Sequence, residues 1–203
     1  MAGGSIGLSE LETRYPQKLD LDGETIELIR LDSLDSDEVR AFTDKLDEKD
    51  LLFLSRDIRQ PKVVAAWSSS LADGDIVTVA ATRQGEIVGT TAIVSDPHSW
   101  SSHVGELRIL VSPDARDIGL GRVLIQESFL IGLDLGLEKL TVRMLLDQEK
   151  AMAVFEDMGF KTEALLKNHV KDTNGDTHDL LMLSHDVAGV RSMMQAYGVD
   201  EAF

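Results

Sequence analysis

The segment Arg116–Gly121 has the residue types and spacing of an anion-binding loop. It has the sequence Arg-Asp-Ile-Gly-Leu-Gly, and it lies between a β-rich stretch and a helix-forming stretch. The first N–H groups of a helix have no partner within the helix, and with the helix dipole they attract an anion such as phosphate or pyrophosphate. Glycine at positions 119 and 121 lets a ligand approach the main chain without meeting a Cβ atom. The segment therefore predicts a phosphate-binding turn.

The same Gly-x-Gly pattern has a purely structural alternative, which is a tight turn that packs closely at the start of a helix. Two better-known phosphate motifs are disfavoured. The spacing is not G-x-G-x-x-G, and no Gly-Lys-Ser/Thr follows, so neither a dinucleotide-binding turn nor a P-loop is indicated.

Glu106 is the candidate for acid–base chemistry. On a strand with a period of two residues it shares one face with Arg108 and Leu110. Partial burial would raise its pKa toward the range in which a carboxylate acts as a general base. The alternative is a structural carboxylate paired with Arg108 or Arg143.

Metal and thiol chemistry are not indicated by the sequence. The chain has no cysteine, and its five histidines show no ligand spacing. We therefore expect no metal site. The absence of cysteine also fits a reducing compartment.

The composition is that of a soluble globular protein. The chain has 203 residues, of which 43% are hydrophobic and 28% charged, and its net charge is −16. Nucleic acids and anionic membranes would be repelled, whereas an amine would be attracted. The N-terminus lacks the features of a signal peptide, and no uncharged stretch exceeds ten residues. We expect a soluble, cytoplasmic protein.

The candidate residues are positioned by alternating strands and helices in one domain. Residues 1–17 are expected to be flexible, 18–187 to form the domain, and 188–203 to form a short helix or tail. The predicted elements are a hairpin around Gly23, helices at 35–45 and from 61, strands at 76–82, 87–94 and 104–111, a helix at 121–135, a strand at 140–146, a helix at 149–158, and a hairpin around Asn174-Gly175. The central strand–helix–strand unit should form a right-handed parallel crossover, which predicts an α/β fold with a mixed sheet.

Several motifs in this order resemble the GNAT superfamily of N-acetyltransferases. R-x-x-G-x-G directly after a strand ending in Val-x-Pro is similar to the family's acetyl-CoA motif. Ala151–Phe160 (AMAVFEDMGF) is similar to the family's A-x-x-x-Y-E-K-x-G-F helix, and His169–Ser184 resembles its closing hairpin. The resemblance covers residues 87–183 in the same order, which makes it much more specific than the first motif alone.

The resemblance implies a single domain with a strongly twisted, mixed central sheet flanked by helices. In this fold the motif strand splays from the next parallel strand, and the pantetheine arm of acetyl-CoA lies in the gap. The main-chain groups that would bond the pantetheine belong to Ile109, Leu110 and Val111. The N–H groups that would hold the pyrophosphate belong to Arg116, Asp117, Ile118, Gly119, Leu120, Gly121 and Arg122.

Two positions that contact the cofactor in the family are altered here. Gln148 aligns with an asparagine that often precedes the last helix, and it keeps the amide on a longer side chain. Phe155 aligns with a tyrosine that often protonates the leaving thiolate, and it has no proton to give. The chain has only two tyrosines, Tyr15 and Tyr197, and neither lies in the motif region. A thiolate of pKa about 8.5 can leave without a dedicated acid, so water would suffice.

The resemblance implies transfer of an acetyl group from acetyl-CoA to a primary amine by direct attack in a ternary complex, because an acyl-enzyme route lacks its cysteine. Several family members have a glutamate at a position matching Glu106, which would be the base. The acceptor would be a lysine side chain, a protein N-terminus or a polyamine-like molecule, with its specificity set by 51–67 and 96–103. Family members often form homodimers, so the resemblance also implies a homodimer.

Two other functions remain open at this point. The first is a non-catalytic acyl-CoA-binding regulatory domain, which Phe155 favours. The second is an interaction module that binds a basic protein through its acidic surface.

Overall fold

The structure, a computed structural model, describes residues 13–189. An eight-stranded sheet forms the centre of this range. The strands are, in chain order, β1 (Gln17–Leu21), β2 (Glu24–Leu31), β3 (Ile76–Arg83), β4 (Glu86–Val94), β5 (Val104–Val111), β6 (Lys139–Leu145), β7 (Lys161–Lys171) and β8 (Thr177–Asp186). Their order across the sheet is β1-β2-β3-β4-β5-β6-β8-β7.

Helices connect the strands at the places that the sequence predicts. They are α1 (Ser36–Thr43), α2 (Pro61–Asp73), α3 (Leu120–Asp134) and α4 (Glu149–Asp157). The Asp35 carboxylate starts α1 by accepting hydrogen bonds from the N–H groups of Asp37 (2.8 Å) and Glu38 (3.1 Å). Gly136 follows the end of α3 in the left-handed conformation, with φ of 71°.

The sheet is mixed, as predicted. β5 and β6 pair in parallel and are joined through α3. All other neighbouring strands of the described sheet pair antiparallel. This arrangement confirms the predicted α/β class, and it brings the end of β5 directly to the start of α3.

Apolar side chains cover both faces of β5. Leu107 belongs to a cluster with Leu124 of α3 and Phe155 of α4. Leu110 belongs to a second cluster, on the α1 side, with Phe42 and Phe53. Because successive strand residues point to opposite faces, this alternation fixes β5 between the two clusters. The face that carries Glu106 is therefore the one that faces away from α3.

The last hairpin forms where Asn174-Gly175 predicts it, but its turn is longer than a two-residue turn. The loop spans residues 172–176, and of the two predicted turn residues only Gly175 has a positive φ, 92°. The Asp172 carboxylate accepts from the N–H groups of Asn174 (3.0 Å) and Asp176 (2.9 Å) and lies 2.9 Å from His178 Nε2. A side-chain acceptor thus organises this turn.

Packed structure begins before Lys18. The Tyr15 hydroxyl donates a 2.5 Å hydrogen bond to Glu127 of α3, and its ring packs against the first cluster. The remainder of the segment that we expected to be flexible, residues 1–12, lies outside the described residues. So does most of the expected helix or tail, residues 190–203.

Candidate active site

The parallel pairing of β5 with β6 stops halfway along the strands. The last pair is Leu107 opposite Val142, although β5 continues to Val111 and β6 to Leu145. Beyond that pair β5 is bonded only to β4, and β6 only to β8. The facing edges therefore present main-chain donors and acceptors that need partners. This gap has the form that the resemblance to the family implies.

Ile109, Leu110 and Val111 form the β5 side of the gap. The carbonyl of Val111 accepts hydrogen bonds of 3.3 Å from Nε and from one Nη of Arg116. The same guanidinium group lies 2.5 Å from Asp50, in a 3-10 turn (Glu48–Asp50) that follows α1. Arg116 thus links the end of the gap to the segment that follows α1.

The loop before α3 leaves the start of the helix open. Gly119 is the N-cap residue, with φ of 87°, and no side chain caps the helix. A Cβ atom built at Gly119 or Gly121 would have no heavy atom within 4 Å. Leu120 between them is buried and anchors the helix start in the first cluster. Close packing therefore does not explain glycine at either position. The positive φ of Gly119 is consistent with the tight turn of the structural alternative, whereas the open space at Gly121 favours ligand approach.

One predicted pyrophosphate ligand is already engaged. The N–H group of Arg116 donates to Pro113 O at 3.4 Å, so it closes a second 3-10 turn (Pro113–Ala115). The loop proposed for the pyrophosphate therefore begins with the amide groups of residues 117 and 118, and a role for Arg116 N–H stays a prediction. Asp117 turns the chain with a positive φ of 63°, and the helix follows from Leu120.

Cationic side chains border the loop. Arg122 lies 3.1 Å from Asp157, and Lys150 lies 3.5 Å from Asp117. Lys150 is 90% exposed, so its ion pair is weak and readily exchanged for a phosphate. The loop therefore combines amide donors with positive charge.

Glu106 lies between two arginines. Arg108 Nε donates to Oε1 at 2.8 Å, and Arg143 donates from one Nη to both carboxylate oxygens at 2.7 Å. Burial alone would raise the pKa of Glu106, but the charges and hydrogen bonds of the two guanidinium groups outweigh it and lower the pKa. The expectation of a raised pKa is therefore wrong. Pairing with arginine, the alternative left open by the sequence, is present with both partners at once.

Gln148 is the N-cap residue of α4, but its amide oxygen is occupied. Oε1 accepts a 3.0 Å hydrogen bond from the N–H group of Leu145, at the end of β6. Gln148 thus closes the turn beside the gap. Its amide NH₂ is the part that remains for a ligand.

Phe155 lies in the first cluster and is only 5% exposed. Its ring contacts Phe160 edge-to-face at 5.1 Å. No tyrosine in the described chain replaces the missing hydroxyl near the gap, because Tyr15 is bonded to Glu127 of α3. Burial, reinforced by this hydrogen bond and by the charge of Glu127, raises the pKa of Tyr15.

A cavity of about 260 Å³ lies on the face of the sheet that carries Glu106. Its walls come from the segment between α1 and α2, from α2 itself, and from β3, β4 and β5. Trp67 forms part of the wall and is held by a 3.2 Å hydrogen bond from Nε1 to Thr78 Oγ1. Arg108 of β5 also lines the cavity, so the cavity and the Glu106 cluster share a residue.

Some residues of the site were not identified from the sequence. Asp50 and Arg56 carry no local motif, since their roles depend on where the α1–α2 segment folds back over the sheet. The sequence predicts that residues 51–67 lie on the acceptor side, and this segment does line the cavity. The second segment assigned to the acceptor side, 96–103, contributes no lining residue, and its Trp100 is fully exposed.

Within the described residues, no group of three histidine, aspartate or glutamate side chains is placed to hold a metal ion. Likewise, none of the helices in residues 13–189 has the length and apolar character needed to cross a membrane.

Comparison with known proteins identifies the family. The model of the acetyltransferase (GNAT) family matches residues 31–160, well over half of the chain. The protein therefore belongs to the GNAT acetyltransferase family. This finding confirms the resemblance seen in the motifs and the assignment as an acetyl-CoA-dependent acyltransferase. No curated protein matches the sequence significantly.

Solved structures share the fold at low sequence identity. The GNAT domain of S. lividans PAT has a TM-score of 0.67 and 19% identity, over 84% of this chain and 96% of that one. A putative acetyltransferase, yncA, from Salmonella typhimurium, solved with acetyl-CoA, has a TM-score of 0.61 and 16% identity, over 79% and 94%. Spermidine N-acetyltransferase from Vibrio cholerae, solved with CoA and spermine, has a TM-score of 0.64 and 15% identity, over 79% and 96%.

Proposed function

We propose that the protein transfers the acetyl group of acetyl-CoA to a primary amine by direct attack, with both substrates bound together. The observation that carries this proposal is the end of β5–β6 pairing at Leu107 and Val142, next to the uncapped start of α3. An unpaired strand edge and an open helix start lie side by side, and these suit an amide-bearing arm and a pyrophosphate respectively.

Acetyl-CoA fits the chemistry of these residues. The main chain of Ile109–Val111 would bond the pantetheine amides, and the amide groups of residues 117–122 would hold the pyrophosphate. The open space beside Gly119 and Gly121 supports this assignment. When bound, acetyl-CoA supplies a thioester whose C–S bond breaks as the amine nitrogen forms a C–N bond with the carbonyl carbon.

Glu106 is the proposed acceptor of the protons that the amine must lose. An ammonium group loses one proton to become nucleophilic and another as the amide forms. A carboxylate with a lowered pKa holds a proton only briefly. We therefore infer that Glu106 passes these protons to water, and that the rate rises with pH as more of the amine becomes neutral.

The leaving thiolate takes its proton from water in this scheme. Phe155 has no ionisable group, and the hydroxyl of Tyr15 is engaged by Glu127 on α3. Because a thiol has a pKa of about 8.5, its thiolate is a tolerable leaving group near neutral pH.

A second candidate is an acyl-CoA-binding domain without catalysis. Two observations favour it, namely the phenylalanine at position 155 and the clamping of Glu106 by two arginines. It shares the cofactor site with the first proposal and lacks only the transfer step.

Two measurements separate these functions. Calorimetric titration with acetyl-CoA should show one site per chain, and thiol release in the presence of amines should show turnover. Binding without release for any amine would favour the regulatory domain. Absence of binding would contradict both candidates and would return the acidic interaction module to consideration.

A further inference from the structure

The cavity beside Glu106 is apolar with a positive end. Its apolar wall includes Leu54, Trp67 and Leu110, and its charged residues are Arg56 and Arg108. No aspartate or glutamate is among the residues that line it. The chain has a net charge of −16, so a cavity whose charged lining residues are all cationic has the opposite charge to the protein as a whole.

Arg56 has no ion pair within the described chain, and it is exposed at the edge of the cavity. Most other arginines of the chain, such as Arg59 beside Asp57 at 2.9 Å, are paired with a carboxylate. An unpaired guanidinium group next to an apolar cavity is suited to a carboxylate that arrives with a ligand.

Arg108 retains binding capacity as well. Its Nε donates to Glu106, and one Nη donates to Ser55 at 3.3 Å. Glu106 also accepts from Arg143, so one carboxylate is shared by two guanidinium groups and a single positive charge is left over in this cluster. The carboxylate therefore does not neutralise the arginines around the cavity.

We propose that the acceptor is a small amine that also bears a carboxylate and an apolar side chain, that is, an apolar amino acid. This inference rests on the proposed acetyl transfer and specifies its substrate class. The carboxylate pairs with Arg56 and Arg108, and the side chain enters the cavity against Trp67. The amino group then lies toward Glu106, since Glu106 contacts Arg108 directly.

The size and charge of the cavity disfavour the other acceptor classes. About 260 Å³ lies just below the usual size of ligand sites, which begins at roughly 300 Å³, so it suits a molecule of amino-acid size. A polyamine would bring two or more positive charges to a site that is lined by two arginines and by no carboxylate. The same charge argument disfavours a lysine side chain within a basic segment.

A matched pair of amines tests the proposal. Leucine and 3-methylbutylamine have the same branched side chain and amino group, and only leucine has the carboxylate. We expect kcat/KM for leucine to exceed that for 3-methylbutylamine by about 10- to 100-fold, the size of charge-assisted hydrogen bonds. Spermidine serves as the polyamine arm and should be the poorest of the three.

Substitution of Arg56 tests whether the carboxylate binds where the structure assigns it. Arg56→Gln should reduce the preference for leucine over 3-methylbutylamine about tenfold, and Arg56→Lys should restore part of it. The control is Arg40→Gln on α1, an arginine that is 75% exposed and does not line the cavity; it should keep the full preference.

Two readouts keep this inference separate from the proposed function. Equal use of both amines, or a preference for spermidine, would overturn the amino-acid assignment while acetyl transfer stands. If no amine in the panel is acetylated, calorimetric titration of each amine into the CoA-saturated protein still tests the cavity. Leucine binding that weakens in Arg56→Gln would support the assignment, and failure of leucine to bind would overturn it.

Discussion

The two candidate binding regions beside β5 differ in the groups that form them. The cofactor side depends on main-chain groups, which are the β5 edge at Ile109–Val111 and the open start of α3 at Gly119. The acceptor side depends on side chains that five parts of the chain bring together, among them Arg56, Trp67 and Arg108. A main-chain site tolerates most substitutions except at its glycines, whereas a side-chain site changes its ligand with one substitution.

The difference in construction explains how one fold could keep its cofactor while changing its acceptor. Strand pairing and helix position fix the gap, so recognition of acetyl-CoA would follow from the fold. Recognition of the amine would follow from individual side chains on the face of the sheet that carries Glu106. Substitutions on the two sides should therefore have separable effects on cofactor binding and on turnover.

The largest effect is expected at the glycines of the cofactor loop. Gly119→Val or Gly121→Val places a side chain where the phosphates would approach, so the increase in melting temperature caused by CoA should disappear. Gly121 has ordinary backbone angles, whereas Gly119 has φ of 87°, so only Gly119→Val should also strain the apo protein. Differential scanning fluorimetry with and without CoA measures both effects.

The control for backbone strain is Gly23→Val in the β1–β2 turn. Gly23 has φ of 81° and open space around it, as Gly119 has, but it lies at the edge of the sheet. This variant should lose stability and keep the CoA-induced shift. If both loop variants keep the shift as well, the loop is not the phosphate site.

The next effect concerns Glu106. Glu106→Gln should keep the affinity for acetyl-CoA and lower kcat roughly 10²-fold, the low end for a positioned base. The deficit should shrink at high pH, where the amine is neutral without help. Steady-state kinetics across pH, together with calorimetry for acetyl-CoA, checks both parts.

Glu163→Gln is the matched control, because it also removes a carboxylate from an ion pair, with Lys139 at 2.7 Å, but on the outer strand β7. It should leave kcat unchanged. Full activity of Glu106→Gln near neutral pH would show that Glu106 is structural and that the amine binds in its neutral form.

A smaller effect is expected in the acid stability of the Glu106 cluster. A carboxyl group whose pKa is lower in the folded state than its usual 4.5 stabilises the fold above pH 4.5, and this contribution is lost as the pH falls through the folded pKa. Arg143→Met removes a donor to both oxygens, so the folded pKa of Glu106 should rise toward 4.5 and the stability lost below pH 4.5 should become smaller. Urea unfolding between about pH 3 and 6 measures the shift.

Arg30→Met on β2 is the comparison variant for Arg143→Met. Arg30 is about as buried, at 24% exposure against 19%, and lies 3.8 Å from Asp32. In Arg30→Met, the free energy of unfolding should fall with decreasing pH as it does in the wild-type protein. Identical profiles for both variants would mean that Arg143 does not control the ionisation of Glu106.

The smallest effect on rate is expected at Phe155. Phe155→Tyr restores the hydroxyl that the family usually has, and the rate should be unchanged or modestly higher if water already protonates the thiolate. Because Phe155 is buried against Phe160, the new hydroxyl should lower the melting temperature unless it finds a partner. A large gain in kcat would show that thiolate protonation limits the wild-type enzyme.

The parts that were predictable from the sequence depend on local patterns. The bounds of β5 and the starts of α1 and α3 each follow from residues within a few positions. The gap between β5 and β6 followed from the resemblance to the family, since no local pattern marks the residue at which strand pairing ends.

The remainder depends on residues that are distant in sequence. Glu106 and Arg143 are 37 positions apart, and the sequence offered their pairing only as an alternative. Arg108 and Arg143 together reverse the direction of the pKa shift that burial alone would give. The bond between Arg116 and Asp50 spans 66 positions. Sequence spacing carries no information on such contacts, because they arise only when the sheet brings the segments together.

The measurement that tests the central claim most directly is amide hydrogen exchange with and without acetyl-CoA. If acetyl-CoA lies in the gap and on the start of α3, peptides covering residues 108–122 should gain protection, because ligand bonds would cover amides that otherwise open readily. Peptides from β1 and β2, at the far edge of the sheet, should not change. Protection of other segments without 108–122, or no protection at saturating acetyl-CoA, would contradict the account.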